Sequence, residues 1–249
     1  MGRRFGQHFL SKKSILDRIA AAACGERASL SVEIGPGKGA LTACLLERTE
    51  KLVAIEVDPY LIQYLRQKFA EPMEQGRLEL IEGDVLKTDL GAWGPAVFAG
   101  NLPYYITSPI LEKIFELSDA WTRAVFLVQA EVAARLAASP GNRDFGYLSV
   151  ETQLYSKPEI LFSVARTAFH PPPKVDSAVV QMEPRPDEFG DREGILRFAA
   201  SCFRHKRKTL RNNLAPLYGK DRVDALPETK RRAEQLTVAE LAELYRKLS

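Results

Sequence analysis

The chain carries the segment Val32-Glu33-Ile34-Gly35-Pro36-Gly37-Lys38-Gly39-Ala40, in which an apolar run leads into closely spaced glycines. The apolar run is typical of a buried strand, and the residues after the last glycine are typical of a helix. Because glycine has no Cβ, a ligand can approach the backbone of such a turn closely. The segment therefore predicts a strand, a turn and a helix with a binding site at the turn; a purely structural turn is the alternative.

The same alternation of apolar runs and helical stretches continues to residue 128. Strands are predicted at 30–34, 52–56, 78–82, 96–100 and 124–128, and helices at 11–23, 40–48, 60–69 and 110–117. Ser108 is expected to cap the last of these helices, with Pro109 at its first position. The strands are nearly continuously apolar, as in a parallel sheet covered on both faces. A pair at 160–164 and 178–183 is expected to add an antiparallel edge. The pattern predicts an α/β fold with a Rossmann-like, doubly wound and mostly parallel sheet.

The last quarter of the chain differs in composition. Residues 184–190 resemble a linker, and helices are predicted at 194–203, 206–214 and 238–248. From residue 191 onward there are 14 Lys and Arg against 8 Asp and Glu, whereas the preceding 190 residues carry 21 against 24. We therefore predict two domains: residues 1–184, and a small, basic, all-helical domain at 185–249.

Basic residues are concentrated in two places that could contact phosphates. The predicted RNA contacts are Arg3, Arg4, Lys12 and Lys13 near the start, and Arg204, Lys206, Arg207, Lys208 and Arg211 in the C-terminal domain. Such clusters attract a nucleic-acid backbone through counterion release. A solvated helix face is the alternative interpretation.

The composition argues against several other classes of protein. Of 249 residues, 45% are hydrophobic and 27% charged, which is typical of a soluble globular chain. The longest apolar run has about six residues, far fewer than a membrane span needs, and no secretory signal is expected. The three cysteines and three histidines are scattered, so neither a disulfide framework nor a metal site is predicted. A cytoplasmic location is expected.

Two carboxylates lie at the ends of the second and third predicted strands, where a cofactor would need them. Glu56 ends the second predicted strand, 21 residues after Gly35, and could accept hydrogen bonds from both ribose hydroxyls. Asp84 follows the third strand and could accept from an adenine amine. This geometry suits nucleoside-bearing cofactors generally, and Gly35, Gly37 and Ala40 also satisfy a loose dinucleotide fingerprint. A nicotinamide-dependent oxidoreductase is therefore one possible class.

The tetrapeptide Asn101-Leu102-Pro103-Tyr104, after the fourth strand, points to a different chemistry. The Asn101 side-chain oxygen and a neighbouring carbonyl can both accept from an exocyclic amine. Pro103 rigidifies the turn, and Tyr104 offers a face for stacking. These residues fit an amine that is presented to an electrophilic methyl group. A hydride-transfer enzyme has no obvious need for them.

With these elements in order, the chain resembles the class I S-adenosylmethionine-dependent methyltransferases, and more narrowly the ribosomal RNA adenine dimethyltransferase family. The stretches that carry the resemblance are 4–10, 101–109 and 169–177, the last containing Pro171-Pro172-Pro173-Lys174-Val175-Asp176-Ser177, together with the basic motif at 203–212. They span nearly the whole chain. One departure is visible: His8 stands where the family usually has an amide.

The resemblance implies roles for individual residues. The cofactor contacts would be His8, Leu10, Gly35, Gly37, Glu56, Asp84, Val85 and Asn101. The reacting adenine would lie against Asn101, Leu102, Pro103 and Tyr104, between Tyr104 and Phe169. Residues 1–184 would bind S-adenosylmethionine, leaving S-adenosylhomocysteine as the product, and 185–249 would recognise RNA.

The implied activity is dimethylation of N6 on two adjacent adenosines in the 3′-terminal hairpin loop of small-subunit ribosomal RNA, during ribosome biogenesis. The immature small subunit is the expected partner, and the enzyme is expected to be monomeric. Two further alternatives stay open: a resistance-type methyltransferase of large-subunit ribosomal RNA, and a non-catalytic ribosome assembly factor.

Overall fold

The computed structural model of the chain describes residues 8–103 and 105–249. Its strands and helices, numbered in chain order, are β1 (Phe9–Leu10), α1 (Lys13–Cys24), β2 (Ala28–Ile34), α2 (Ala40–Leu46), β3 (Thr49–Glu56), α3 (Pro59–Lys68), α4 (Ala70–Glu74), β4 (Leu78–Glu82), β5 (Ala96–Asn101), α5 (Thr107–Phe115), β6 (Trp121–Gln129), α6 (Ala130–Leu136), α7 (Tyr147–Tyr155), β7 (Ser156–Val164), β8 (Phe169–His170), β9 (Ser177–Pro184), α8 (Arg192–Cys202), α9 (Leu210–Tyr218), α10 (Lys220–Asp224) and α11 (Val238–Leu248). None of the helices in these two ranges is long and apolar enough to cross a bilayer.

The chain divides into two compact units. The sheet unit contains the residues up to Ala133 together with Glu159–Pro184, and the helical unit contains Ala134–Pro158 and Arg185–Ser249. The sequence placed residues 134–158 in the first domain, whereas the structure groups them with the C-terminal helices. The boundary between the two units at residues 184 and 185 coincides with the start of the predicted linker.

A seven-stranded sheet with the order β4-β3-β2-β5-β6-β9-β7 forms the centre of the sheet unit. The first five strands in this order are parallel, and β9 runs antiparallel to β6. The strand order reverses between β2 and β5, and ligands bind open α/β sheets at the carboxyl ends of the strands beside such a switch point. The predicted fold class and antiparallel edge are confirmed.

Apolar residues cover both faces of this sheet. On one face Ile19 of α1 and Leu45 of α2 pack in a core cluster with strand residues such as Ala54. Residues that alternate with these along the strands, among them Phe98 and Phe126, are fully buried as well. Side chains in a strand point to opposite faces in turn, so both faces are shielded from water. This explains the nearly continuous apolar runs in the central strands β5 and β6.

The helical unit has its own hydrophobic core. Phe145 and Leu154, from the middle of the chain, are buried in one cluster with Phe198 of α8, Leu214 of α9 and Leu241 of α11. Helix α11 begins with a capping box, in which the Thr237 hydroxyl accepts from the Glu240 amide at 3.1 Å and the Glu240 carboxylate accepts from the Thr237 amide at 2.7 Å.

Two predicted helix starts are wrong. Helix α5 begins at Thr107, directly after a turn in which the Ile106 amide bonds to the Pro103 carbonyl. Its N-cap is therefore Ile106, which has no polar side chain to accept from a helix amide, and Ser108 and Pro109 lie within the first turn. The helix expected at 206–214 begins only at Leu210, so the basic residues before it lie in a turn. Thr209, at the N-cap, is extended and forms a β-bridge with Arg232, which ends the turn.

Gly39 is required by both its backbone conformation and its surroundings. Its φ is +72°, and a Cβ would lie 2.4 Å from the Phe69 ring and 2.8 Å from Leu65 Cδ2. Gly39→Ala should lower the free energy of unfolding by about 2–4 kcal/mol, through left-handed strain and overpacking. The measurement is urea denaturation followed by circular dichroism.

Gly76→Ala is the matched control. Gly76 has nearly the same φ, +70°, but has open space where the Cβ would stand. Its replacement should therefore cost only the strain, about 1 kcal/mol. Equal losses for the two variants would show that the close packing at Gly39 does not matter.

Candidate active site

A cavity of about 560 Å³ opens at the carboxyl ends of β2, β3 and β5, beside the switch point of the sheet. The glycine-rich turn, the N-terminal segment from residue 8 and the segment after β5 all contribute to it. Among the predicted site residues, those that line it are His8, Leu10, Gly35, Gly37, Glu56, Asp84, Val85, Asn101, Leu102 and Pro103. The structure thus brings most of the predicted cofactor and catalytic residues together.

Glu56 connects the end of β3 to the glycine-rich turn. One carboxylate oxygen, Oε2, accepts from the Gly37 amide at 3.1 Å, and Oε1 accepts from the amides of Val57 and Asp58 at 2.9 and 3.0 Å. Burial raises the pKa of this carboxyl, and the three amides oppose that rise by stabilising the charged form. The hydrogen bonds fix the carboxylate at the edge of the cavity, where each oxygen retains further acceptor capacity.

Asp84 is fixed in a similar way after β4. Its Oδ1 accepts from the Leu86 amide at 3.0 Å, and its backbone carbonyl accepts from the Thr88 hydroxyl at 3.0 Å. Asp84 and Val85 therefore stand in a short turn whose geometry is set by local hydrogen bonds. Both residues face the cavity on the β4 side.

Asn101 joins the end of β5 to the N-terminal segment. Its Nδ2 donates to the His8 carbonyl at 3.0 Å, across 93 residues of sequence. The next residue, Leu102, donates its amide to the Leu127 carbonyl at 3.1 Å and is buried. With Nδ2 engaged, the amide plane of Asn101 is fixed, and Oδ1 is the acceptor atom of that side chain.

A two-stranded ladder of β1 and β8 holds the N-terminal segment beside the cavity. Leu10 pairs with Phe169 and Phe9 with His170, and the His8 ring contacts the Pro171 carbonyl at 2.8 Å. Phe169 does not line the cavity; its side chain is 4% exposed and packs in the core of the sheet unit. The stacking role that the sequence assigned to it stays a prediction.

The other predicted aromatic, Tyr104, lies outside the described residues. Tyr105, which the sequence analysis did not select, lines the cavity and is 66% exposed. No periodicity signal in the sequence distinguishes these two adjacent tyrosines.

Glu33 is the main cavity residue that sequence reasoning missed. It is 1% exposed and accepts a 2.6 Å hydrogen bond from the Thr42 hydroxyl of α2. Burial, and to a smaller degree the charge of Glu56, raise its pKa to about 8, while the Thr42 hydrogen bond acts in the opposite direction. The available signal was a single acid between the apolar residues Val32 and Ile34 of a strand.

The comparisons with known proteins now bear on this geometry. The sequence profile of the family described as "Ribosomal RNA adenine dimethylase" matches residues 1–249. The chain belongs to this family. It is 39% identical over 248 residues to "Ribosomal RNA small subunit methyltransferase A" of Chlorobium chlorochromatii, covering 98% of this chain and 92% of that one. A protein of the same name from Acidobacterium capsulatum is 42% identical over 258 residues, with 98% and 90% coverage.

Two solved structures are similar over nearly the whole chain. A dimethyladenosine transferase from Plasmodium falciparum aligns with a TM-score of 0.81 at 27% identity, covering 97% of this chain and 96% of that one. The 23S rRNA methyltransferase ErmE aligns with a TM-score of 0.74 at 26% identity, with 96% and 99% coverage. The family accounts for the fold and for methyl transfer that depends on S-adenosylmethionine.

The cavity of this family member fits the cofactor that the family uses. Gly35 has φ +68° and no atom within 4 Å of the place where a Cβ would stand, so the backbone of the turn is open to a ligand. Glu56 and Asp84 provide carboxylate acceptors at two neighbouring strand ends. Within residues 8–103 and 105–249, no cluster of His, Cys, Asp or Glu is arranged to hold a metal ion.

The predicted RNA-binding residues fall into separate places. Arg3 and Arg4 lie outside the described residues, and Lys12 and Lys13 are exposed at the start of α1. In the helical unit, an exposed basic turn between α8 and α9 carries Arg204, Lys206, Arg207 and Lys208. Arg211 differs from these, because its guanidinium pairs with Asp224, with Nη2 at 2.9 Å from Oδ2.

Asn213, which the sequence analysis did not select, holds the basic turn in place. Its Nδ2 donates to the Cys202 carbonyl at 2.7 Å and to the His205 carbonyl at 3.3 Å. The Lys208 amide also donates to the His205 carbonyl, at 2.9 Å. The charged side chains therefore project from a backbone that is fixed by hydrogen bonds.

The buried acid predicts a specific pH dependence of stability. Folded Glu33 keeps its proton to about pH 8, whereas the unfolded residue ionises near its ordinary pKa of 4.5. Between these values the unfolded chain binds fewer protons, so stability falls as the pH rises. Glu33→Gln removes this loss. The free energy of unfolding of the variant relative to wild type should increase from pH 5 to pH 8 and then level off. A difference that is constant across this range would contradict the assignment.

Proposed function

We propose that this chain dimethylates N6 of two adjacent adenosines in the 3′-terminal hairpin loop of small-subunit ribosomal RNA. The observation that carries the proposal is the position of Asn101-Leu102-Pro103 beside the cavity, in a chain that belongs to the ribosomal RNA adenine dimethylase family. The names of its bacterial relatives favour the small subunit. The similarity to ErmE makes the large subunit the second candidate.

The cavity residues divide the binding of the cofactor among them. S-adenosylmethionine, when bound, supplies a methyl group on a positively charged sulfur. Glu56 is proposed to accept hydrogen bonds from the ribose hydroxyls, and Asp84 with Val85 to hold the adenine. The open backbone at Gly35 allows close approach of the ligand, and Gly37, whose open side is packed against the Phe9 ring, is proposed to complete the turn that holds it. His8 and Leu10 complete the site from the N-terminal segment.

Asn101 is proposed to act on the target amine directly. The lone pair of an adenine amine is delocalised into the ring, so the nitrogen is a weak nucleophile. Acceptance of its two hydrogens by Asn101 Oδ1 and the Leu102 carbonyl would favour tetrahedral geometry and localise the pair. Because Nδ2 is held by the His8 carbonyl, the amide needs little reorganisation to do this. Positioning of the amine in line with the methyl group supplies the rest of the rate enhancement. The alkylated nitrogen is acidic enough to lose its proton to water or a carbonyl.

The target base must leave its stack to reach Asn101, and aromatic side chains reduce the cost of that step. Tyr104 is proposed to stack on the base. Phe169, which pairs with Leu10, is proposed to lie on the other side of the base. Tyr105, at the edge of the cavity, is a further surface for stacking.

The helical unit, mainly residues 185–249, is proposed to recognise RNA through the basic turn. Lys12 and Lys13, with Arg3 and Arg4, are proposed to add phosphate contacts from the N-terminal part of the chain. We expect the partner to be an immature small ribosomal subunit. We also expect the enzyme to act as a monomer in the cytoplasm.

The proposed reaction can be tested with labelled S-adenosylmethionine and immature small subunits, followed by mapping of the modified nucleotides. The expected product is N6,N6-dimethyladenosine at two adjacent positions of the terminal hairpin loop. Modification of large-subunit RNA alone would favour the second candidate. Absence of transfer to either RNA would contradict the enzymatic function.

Asn101→Ala provides the matched variant for this assay. It removes an interaction that matters mainly in the transition state, so transfer should fall by about a hundredfold or more. The affinity for S-adenosylmethionine, measured by calorimetry, should stay within about tenfold of wild type. Near-normal turnover would be incompatible with the role given to Asn101.

The basic turn predicts a salt-dependent contribution to RNA binding. Replacement of Arg204, Arg207 and Lys208 by Gln should weaken binding and reduce the slope of log K against log salt by about 2–3, since each phosphate contact contributes about one. Arg197→Gln is the control, because that guanidinium already pairs with Glu193 at 3.2 Å. An unchanged slope in the triple variant would assign the turn to ordinary solvated surface.

A further inference from the structure

Helix α3 exposes two aromatic rings that nothing in the proposed reaction uses. Tyr60 is 77% exposed and Tyr64 is 46% exposed, and they stand one helical turn apart. Residues four apart lie on the same face of a helix, so the two rings form one surface, together with the exposed Gln63 and Gln67. The opposite side of the helix is buried through Ile62 and Leu65.

The charges around this surface are positive. Helix α3 contains no acidic residue, and its last turn carries Arg66 and Lys68. Arg66 lies 3.6 Å from Glu82, but Lys68 Nζ bonds to the Lys38 and Gly39 carbonyls, at 2.8 and 3.4 Å, and stands 5.8 Å from the centre of the Tyr64 ring.

Lys68 thus contacts the backbone of Lys38, whose own ammonium group lies over the Phe9 ring, with Nζ 4.9 Å from the ring centre. In the part of the chain that the structure describes, neither ammonium pairs with a carboxylate. Two acids stand beside α3 along the chain: Asp58, which caps the helix by accepting from the Tyr60 amide at 2.9 Å, and Glu71, in the first turn of α4. The aromatic surface is therefore flanked by uncompensated positive charge at one end.

Residues adjacent to the two ends of this surface line the cavity, although the surface residues themselves do not. Val57, two residues before α3, is 47% exposed and lines the cavity, and Lys38 lines it from the glycine-rich turn. A polymer that follows the exposed face of α3 would therefore run along the edge of the cofactor cavity. The surface is continuous with the site in which the reaction is proposed to take place.

Exposed aromatic rings beside cations are the features by which proteins bind single-stranded nucleic acid. Bases stack on the rings and the backbone phosphates meet the cations. A protein partner would have to supply carboxylates to match the ammonium groups of Lys38 and Lys68, whereas every nucleotide of an RNA carries both a base to stack and a phosphate, so RNA is the better match.

We propose that Tyr60 and Tyr64, together with Lys38 and Lys68, bind an unpaired segment of the ribosomal RNA substrate by stacking and phosphate contact. This proposal depends on the proposed function for the identity of the RNA. It adds to the sheet unit an RNA-binding surface distinct from the basic turn of the helical unit.

Paired substitutions separate stacking from simple apolar contact. The double variant Tyr60→Leu with Tyr64→Leu keeps apolar side chains but removes the rings, whereas Tyr60→Phe with Tyr64→Phe keeps the rings. The probe is a fluorescein-labelled, unstructured oligoribonucleotide of about ten adenosines, and binding is followed by fluorescence anisotropy at fixed salt. The leucine variant should bind at least about tenfold more weakly, and the phenylalanine variant within about twofold of wild type.

Three further measurements exclude indirect effects. Circular dichroism melting checks that both variants fold, and calorimetry checks that their affinity for S-adenosylmethionine is unchanged. Tyr147→Leu, at an exposed tyrosine of the helical unit, should bind the oligonucleotide as wild type does. Crosslinking of a 4-thiouridine-labelled oligonucleotide should occur within the peptide that contains α3.

The outcomes are distinct. Equal binding by the leucine variant and wild type would overturn the proposal. So would a change only in self-association, measured by sedimentation, which would make the surface an interface between two copies. The two proposals can also fail separately. If the wild-type protein fails to methylate ribosomal RNA, but the leucine variant loses oligonucleotide binding while the phenylalanine variant and the wild type keep it, the surface assignment stands and the proposed function fails.

Discussion

The hydrogen bond from the Gly37 amide to the Glu56 carboxylate connects the two strand ends on which the site depends. Glu56 also accepts from the amides of Val57 and Asp58, so one side chain sets the geometry of the glycine-rich turn and of the segment that enters α3. The Gly35 amide adds a bond to the Ile55 carbonyl at 3.0 Å. These contacts close one side of the cavity before any ligand is present, and a ligand that uses Glu56 meets a carboxylate already held in place.

The opposite side of the cavity depends on contacts that are distant in sequence. The His8 carbonyl accepts from Asn101, and the backbone of residues 9 and 10 pairs with residues 169 and 170. The residue proposed to act on the amine is thus linked directly to the segment proposed to hold the cofactor. A change in the N-terminal segment would alter the orientation of the Asn101 amide as well as the shape of the cavity.

The sequence was sufficient for those features that depend on local pattern. Each of the first five predicted strands lies within an observed strand, because buried parallel strands need continuous apolar runs, and the carboxyl ends of these strands bring Gly35, Glu56, Asp84 and Asn101 together.

Features set by tertiary contacts could not be predicted in this way. The burial of Phe169 follows from its pairing with Leu10, and the protonation of Glu33 follows from its enclosure between strand and helix. The turn before α9 depends on Asn213 and on the bridge between Thr209 and Arg232, which local helix propensity does not register. The assignment of residues 134–158 to the helical unit likewise rests on side chains that lie far along the chain.

The discontinuous helical unit has a consequence for how this protein can be divided. A fragment ending at residue 184 would retain Phe145, Val150 and Leu154 but lose Phe198, Leu214 and Leu241, against which they cluster. That fragment would present apolar side chains to water and would be expected to aggregate. The reciprocal fragment, 185–249, would lack part of its own interior. Grafting of the RNA-contacting portion onto another enzyme would therefore require two splice points rather than one.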